Sequence, residues 1–118
     1  MRGVWLLIDL ALVAFFAVVG RLSHYGALTP GGWWSTAWPF LAGTVLAWLV
    51  LVAARRRPAS LAFGAGVWLV TLVAGMLLRQ ASGQGTATSF VVVATVVVGL
   101  LLLVPRLLAR VSSRGARG

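Results

Sequence analysis

Asp9, Arg21, His24 and Arg79 are the side chains away from the chain's ends that could do chemistry, and they stand out because so little else is polar. The 118 residues contain one acidic residue, one histidine and no cysteine, with a net charge of +9. Arg21 and His24 lie at i and i+3, so a helix continuing through them puts both on one side. With Arg79 at the same level they predict a site for an anion, to which the free N–H groups at the start of a following helix would add. Lipid-headgroup contact by snorkelling side chains is the plainer use of the same residues. Asp9, set in the apolar stretch "LLIDLALV", is expected to face the interior of a bundle. A carboxylate at mid-helix in lipid costs roughly 2.5–3.5 kcal/mol, against about 0.3–0.6 returned by each large apolar residue.

Three roles are open to Asp9: an interhelical hydrogen bond or ion pair, a proton or cation site, and an interfacial carboxylate reaching water. Arg21 is twelve residues away, about 18 Å along a helix axis, too far for a direct pair. Arg55 to Arg57, Arg106 and the hydroxyl of Ser60 are nearer in depth. A lone histidine without cysteine is not expected to hold zinc within one protomer, since zinc takes three or four N, S or O ligands, and no cofactor is expected. The chain contains no Ser/His/Asp set, no phosphate-cradling glycine loop before a lysine and no carboxylate pair, so it is not expected to be an enzyme.

These residues must be positioned by membrane-spanning helices. Mean hydropathy is +1.04 and charged residues make up 9%, against about 25% in soluble domains. Apolar runs broken by turn residues predict an all-α bundle of four spans, over about 4–20, 36–54, 60–78 and 86–104, in a single domain 1–105 followed by a basic tail 106–118. Each span is just long enough to cross a hydrocarbon core about 30 Å thick. Helices rather than strands follow because lipid leaves no partner for an unpaired backbone amide.

Charge sets the expected orientation. Eight of the ten arginines (Arg2, Arg55, Arg56, Arg57, Arg106, Arg110, Arg114, Arg117) fall at one end of the spans, and Arg21 and Arg79 at the other. The positive-inside rule then places both termini in the cytoplasm. Anionic headgroups, not nucleic acid, are the expected partners of these arginines, since no basic stripe is interleaved with stacking aromatics. The first span has a basic start but no small-x-small cleavage site, so it is expected to stay in the protein. Arginine to the exclusion of lysine, with abundant Ala, Gly and Val, points to a GC-rich bacterial genome and hence a bacterial inner membrane.

Local signals refine the spans. In "STAWPFLAG", Ser35 or Thr36 is expected to cap the second helix, with Pro39 in its first turn. Pro30 is expected in the outer loop, Pro58 at the start of the third helix and Pro105 at the end of the fourth. Trp33, Trp34 and Trp38 read as an outer aromatic belt, and the indole N–H of Trp68, nearer mid-span, needs a partner. Small residues at Gly43 and Ala47, Ala62 and Gly66, and Thr95 and Gly99 allow close helix approach, within one bundle or between two copies. Each half of the chain runs through a span to an outer arginine, a Gly-rich loop and a second span ending in arginines, a faint parallel repeat.

The stretches "DLALVAFFAVVGRLSH" and "TAWPFLAG" resemble the family of domains of unknown function numbered 3054, small bacterial and archaeal membrane proteins of about four spans. The resemblance runs from Asp9 to the fourth span and carries over Asp9, Gly20, Arg21, His24, Trp38, Pro39, Phe40, Gly43 and Arg79 as family-like positions. It implies no activity. Two functions are therefore expected from the residues themselves: a small transporter-like or solute-handling protein with the Arg/His site outside, or an accessory subunit whose small-residue faces pack on another membrane protein or a second copy.

Overall fold

The computed structural model describes residues 2–25, 29–55, 57–84 and 88–117, with side chains described for 3–22, 29–55, 57–84 and 88–112. The described residues form four α-helices: α1 (Arg2–Tyr25), α2 (Pro30–Ala53), α3 (Leu61–Ala81) and α4 (Thr88–Arg117). All four are long and apolar enough to cross a membrane. The chain is an up-down-up-down bundle in which α1 and α3 each pack on both α2 and α4. Both termini and the α2–α3 connection share one end, called here the terminal end; the α1–α2 and α3–α4 connections lie at the far end.

The burial pattern is that of a protein solvated by lipid. Leu7, Leu49, Leu69, Leu77, Leu100 and Leu108 stand on the outside, an outward apolar belt that water would not tolerate at this density. The 49 Å long axis matches a bilayer of about 40–45 Å including headgroups. Inside, Val13, Phe16, Phe40, Phe63, Val67, Phe90, Ala94, Val98 and Leu102 form one core along the axis. Phe40 meets Phe16 edge-on at 5.1 Å between ring centroids and Phe90 at 5.9 Å.

Polar groups fix the helix register. Trp33 Nε1 donates to the carbonyl of Ala14 at 3.0 Å, and Trp68 Nε1 to the carbonyl of Thr95 at 3.0 Å. Trp33 therefore ties α2 to α1 as well as sitting near an interface, and the Trp68 indole has the acceptor that its depth demands. Thr44 Oγ1 donates back to the Phe40 carbonyl at 2.9 Å and lies 3.1 Å from Thr71 Oγ1, where a Cβ added to Gly43 would meet the Thr71 backbone at 3.1 Å. A glycine at 43 thus lets α2 and α3 approach closely enough for the two hydroxyls to bond. Thr44→Val is expected to weaken the bundle by about 0.6 kcal/mol; equal SDS-unfolding midpoints for variant and parent would remove the bond from the account.

The helices extend beyond the expected spans, for identifiable reasons. The N-cap of α2 is Thr29, not Ser35 or Thr36: Thr29 Oγ1 accepts from Gly32 N at 3.0 Å and Pro30 occupies the first turn. Pro39 consequently lies inside α2 rather than in its first turn, and Pro30 lies in the helix rather than in the loop. At the terminal end, Pro58 sits in a turn and Ser60 caps α3, accepting from Phe63 N at 3.0 Å. α4 runs without a break through Pro105 to Arg117, past the point where the apolar run ends and the tail was expected to begin. α3 closes on Gly83 at φ +81, with Gly83 N bonded to the Gln80 carbonyl at 3.2 Å and Gln84 N to the Arg79 carbonyl at 2.9 Å. This paired C-cap needs a left-handed residue, which glycine supplies without strain.

Candidate functional site

At the terminal end, Asp9 is completely buried and accepts three charge-assisted or indole hydrogen bonds. Arg106 Nη1 donates to Oδ1 at 2.8 Å and Arg106 Nη2 to Oδ2 at 2.7 Å; Trp48 Nε1 donates to Oδ2 at 2.8 Å. The guanidinium is equally occupied: Nε donates to the Pro58 carbonyl at 2.8 Å and Nη1 also to the Leu102 carbonyl at 3.0 Å. Its carbon stands 4.8 Å from the ring centroid of Trp5 and 5.7 Å from that of Phe63. One bidentate pair thus joins α1 to α4, α2 and the α2–α3 turn, with a donor on each carboxylate oxygen and a second on Oδ2. A Cβ on Gly64 would fall 2.6 Å from Arg106 Cδ, so glycine there leaves the room that the arginine stem occupies.

Of the partners expected for Asp9, Arg106 is the one used. Ser60 is engaged in capping, and its hydroxyl also donates to the Arg57 carbonyl at 2.7 Å. Trp48 and the Pro58 carbonyl were not anticipated. Trp48 had only its depth as a signal, and a backbone acceptor in a turn has none.

At the far end, Arg79 is 2% exposed, on the inward face of α3. Its Cζ lies 4.0 Å from the centroid of the Phe90 ring and its Nη1 donates to Gln84 Oε1 at 3.1 Å. The glycine-terminated end of α3 delivers Gln84 to that position. Phe90 in turn packs on α1, with Cε2 3.4 Å from a Cβ placed on Gly20. Arg79 therefore reaches toward α1 through an aromatic ring. Arg21 takes a different course: Cζ, Nε and Nη2 all lie 2.7 Å from a Cβ placed on Gly32, which lays the guanidinium flat against the start of α2. The Gly32 amide, in the first turn of α2, is bonded to Thr29 Oγ1.

The remaining sequence-based candidates fall as follows. α1 continues through His24, whose side chain lies outside the described residues. Pro39, Phe40 and Gly43 are buried and Trp38 is half-buried, and Phe40 and Gly43 act in helix packing. Gly66 and Gly99 fit against Leu51 and Trp68 of the same chain, so these small residues serve contacts within the bundle. Arg21 and Arg79, 58 positions apart, each lie against the residue eleven positions further on in the following helix, Gly32 and Phe90.

Four antiparallel apolar helices clamped by one buried ion pair define a small polytopic membrane bundle. The chain belongs to the family described as "Protein of unknown function (DUF3054)", whose model matches residues 6–109. Comparison with curated proteins and with solved structures gives no match.

Proposed function

We propose that the chain is a multi-pass protein of a bacterial inner membrane, with both termini in the cytoplasm, that binds an anion in the layer around Arg79 at its outer end. The observation that carries this reading is a buried cation at the end remote from the only acidic side chain. Asp9, the one acidic residue of the sequence, is held by Arg106 at the terminal end, whereas Arg79 is buried at the other, against Gln84 and Phe90. A guanidinium at membrane depth is favoured by a nearby negative charge, and Arg21 adds a second positive charge at the same end. The arginine distribution supports the orientation.

The reading is one of binding, not catalysis, because the sole carboxylate is already engaged. It is also binding in preference to conduction through one protomer, because Phe16, Phe40, Phe90 and Phe63 fill the axis between the two polar ends. That filled core equally suits an accessory subunit; recovery of a stoichiometric membrane-protein partner in mild detergent, with no anion response, would favour that second reading.

The test has two arms. The sequence has no native cysteine, so Ser89→Cys and Ser112→Cys can be probed singly in intact cells with an impermeant maleimide. Labelling of the first alone is expected; labelling of the second alone reverses the orientation. In the purified protein, millimolar phosphate or sulfate is expected to raise the unfolding midpoint by mass action, with the increment lost in Arg79→Gln. An equal increment in parent and variant removes Arg79 from the site.

A further inference from the structure

We infer that Thr36 donates its hydroxyl to the anion held at Arg79, and that this anion is an oxyanion, a phosphate or carboxylate group, in preference to a halide. The inference rests on the anion reading above and adds a residue and a ligand class to it.

Thr36 is completely buried, and its Oγ1 has no hydrogen-bond partner among the described residues. Other threonines inside these helices behave differently. Thr44 and Thr95 each donate to the carbonyl four residues earlier, at 2.9 and 2.7 Å, and Thr71 is bonded to Thr44. A buried hydroxyl left without a partner is unfavourable, so its position matters.

The register supplies that position. Thr44 faces Thr71 and Phe40 packs on Gly75, so one further turn along each antiparallel helix sets Thr36 level with Arg79. On the other side Phe16 meets Phe40, which sets Gly20 at the same level, beside Phe90. Thr36, Arg79, Phe90 and Gly20 thus occupy one layer, contributed by all four helices. Arg21 lies one turn outward on Gly32, and the rings of Phe16 and Phe40 form the floor.

A guanidinium offers parallel N–H donors that match two oxygens of a carboxylate or phosphate, and a hydroxyl matches a third contact; a spherical halide cannot use the fork. The aromatic floor keeps water from competing. Because the layer lies near one end of the spans, the oxyanion can come from solution or from the phosphate of a lipid headgroup.

The full chain, purified in an uncharged detergent, is titrated with sodium phosphate, acetate and chloride at constant ionic strength while the unfolding midpoint is followed. Phosphate or acetate is expected to stabilise the parent and chloride to do so far less. Thr36→Val is expected to weaken oxyanion binding about tenfold, the loss of one hydrogen bond to a charged group, while unfolding no earlier than the parent when anion is absent. Thr36→Ser should retain binding. A structural role for the hydroxyl would instead lower the anion-free midpoint and leave the increment intact.

If Thr36→Val binds phosphate as the parent does while Arg79→Gln does not, the Thr36 assignment fails and the anion reading stands. If chloride matches phosphate, the ligand class is overturned. If no anion stabilises the parent, both inferences fall. In nanodiscs, a phosphate response kept in phosphatidylcholine but abolished in phosphatidylglycerol identifies the headgroup as the source, and a response kept in both identifies a free oxyanion.

Discussion

Asp9→Ala and Arg106→Met each lower the stability of the bundle by about 3–5 kcal/mol, because each leaves the other charge buried without its counter-charge. In lipid the surviving ion cannot be rehydrated where it stands, and insertion scales put a central charge at roughly 2.5–3.5 kcal/mol even after local adjustment. Asp9→Ala also deprives the Trp48 indole of its acceptor, and Arg106→Met deprives the Pro58 carbonyl of its donor. The double variant Asp9→Ala/Arg106→Met contains neither charge. Its loss is therefore smaller than the sum of the singles, with a coupling of about 2 kcal/mol in a double-mutant cycle. It does not return to the parent value, since Trp48 and Pro58 still lack partners. Reversible unfolding in mixed micelles measures all four corners; single variants within about 1 kcal/mol of the parent would show that the pair does not clamp the helices.

Phe40→Ala lowers stability by a similar amount, about 3–5 kcal/mol, through lost contacts and the cavity left behind. Lipid tails are as apolar as the ring, so the loss is one of packing, and Phe40 has the packing to lose: it is completely buried and meets Phe16, Phe90 and the Gly75 backbone. Gly75 is its complement. A Cβ there would lie 2.4 Å from Phe40 Cδ1, and the ring is held by two other rings, so Gly75→Ala is destabilising by about 1–3 kcal/mol. The two changes are not additive. Phe40→Leu vacates the ring edge, and Gly75→Ala made in that background is expected to be close to neutral. If Gly75→Ala is equally harmful in both backgrounds, the ring is not what glycine accommodates.

The spans were legible because lipid imposes a coarse rule: an apolar run must be long enough to cross and must satisfy its own backbone. Four such runs, separated by turn residues and arginines, leave little choice of architecture. Helix boundaries were less legible. "TPGGWWST" reads as a loop because of its glycines, yet Thr29 and Pro30 are a good cap and first-turn pair, and Gly32 is small because Arg21 lies against it. The contact across helices, not the local sequence, explains the glycine. Pro105 likewise reads as an end but is carried within α4.

The chemistry-bearing residues divide in the same way. Asp9 could be recognised as a buried carboxylate from hydropathy alone, and Arg106 was among its reachable partners. Which arginine it meets depends on how α4 rotates about its own axis, and that is fixed by Gly64, Trp5 and Phe63, none of which carries a charge. Arg21 and Arg79 could be assigned to the end opposite the other arginines by counting. Their separate settings, one flat on a glycine and the other on a phenylalanine, depend on which helices are neighbours.

By itself the sequence determined the class of protein, the number of spans, the grouping of charges at the two ends and the need for Asp9 to face inward. These follow from transfer free energies, which depend on residue type and on position along one helix. Only the tertiary structure decided that Asp9 is closed off by Arg106 and Trp48, that Arg79 stacks on Phe90, and that the Thr36 hydroxyl stands level with Arg79. Those are matters of helix rotation and register, set by many small packing contacts between residues far apart in the chain.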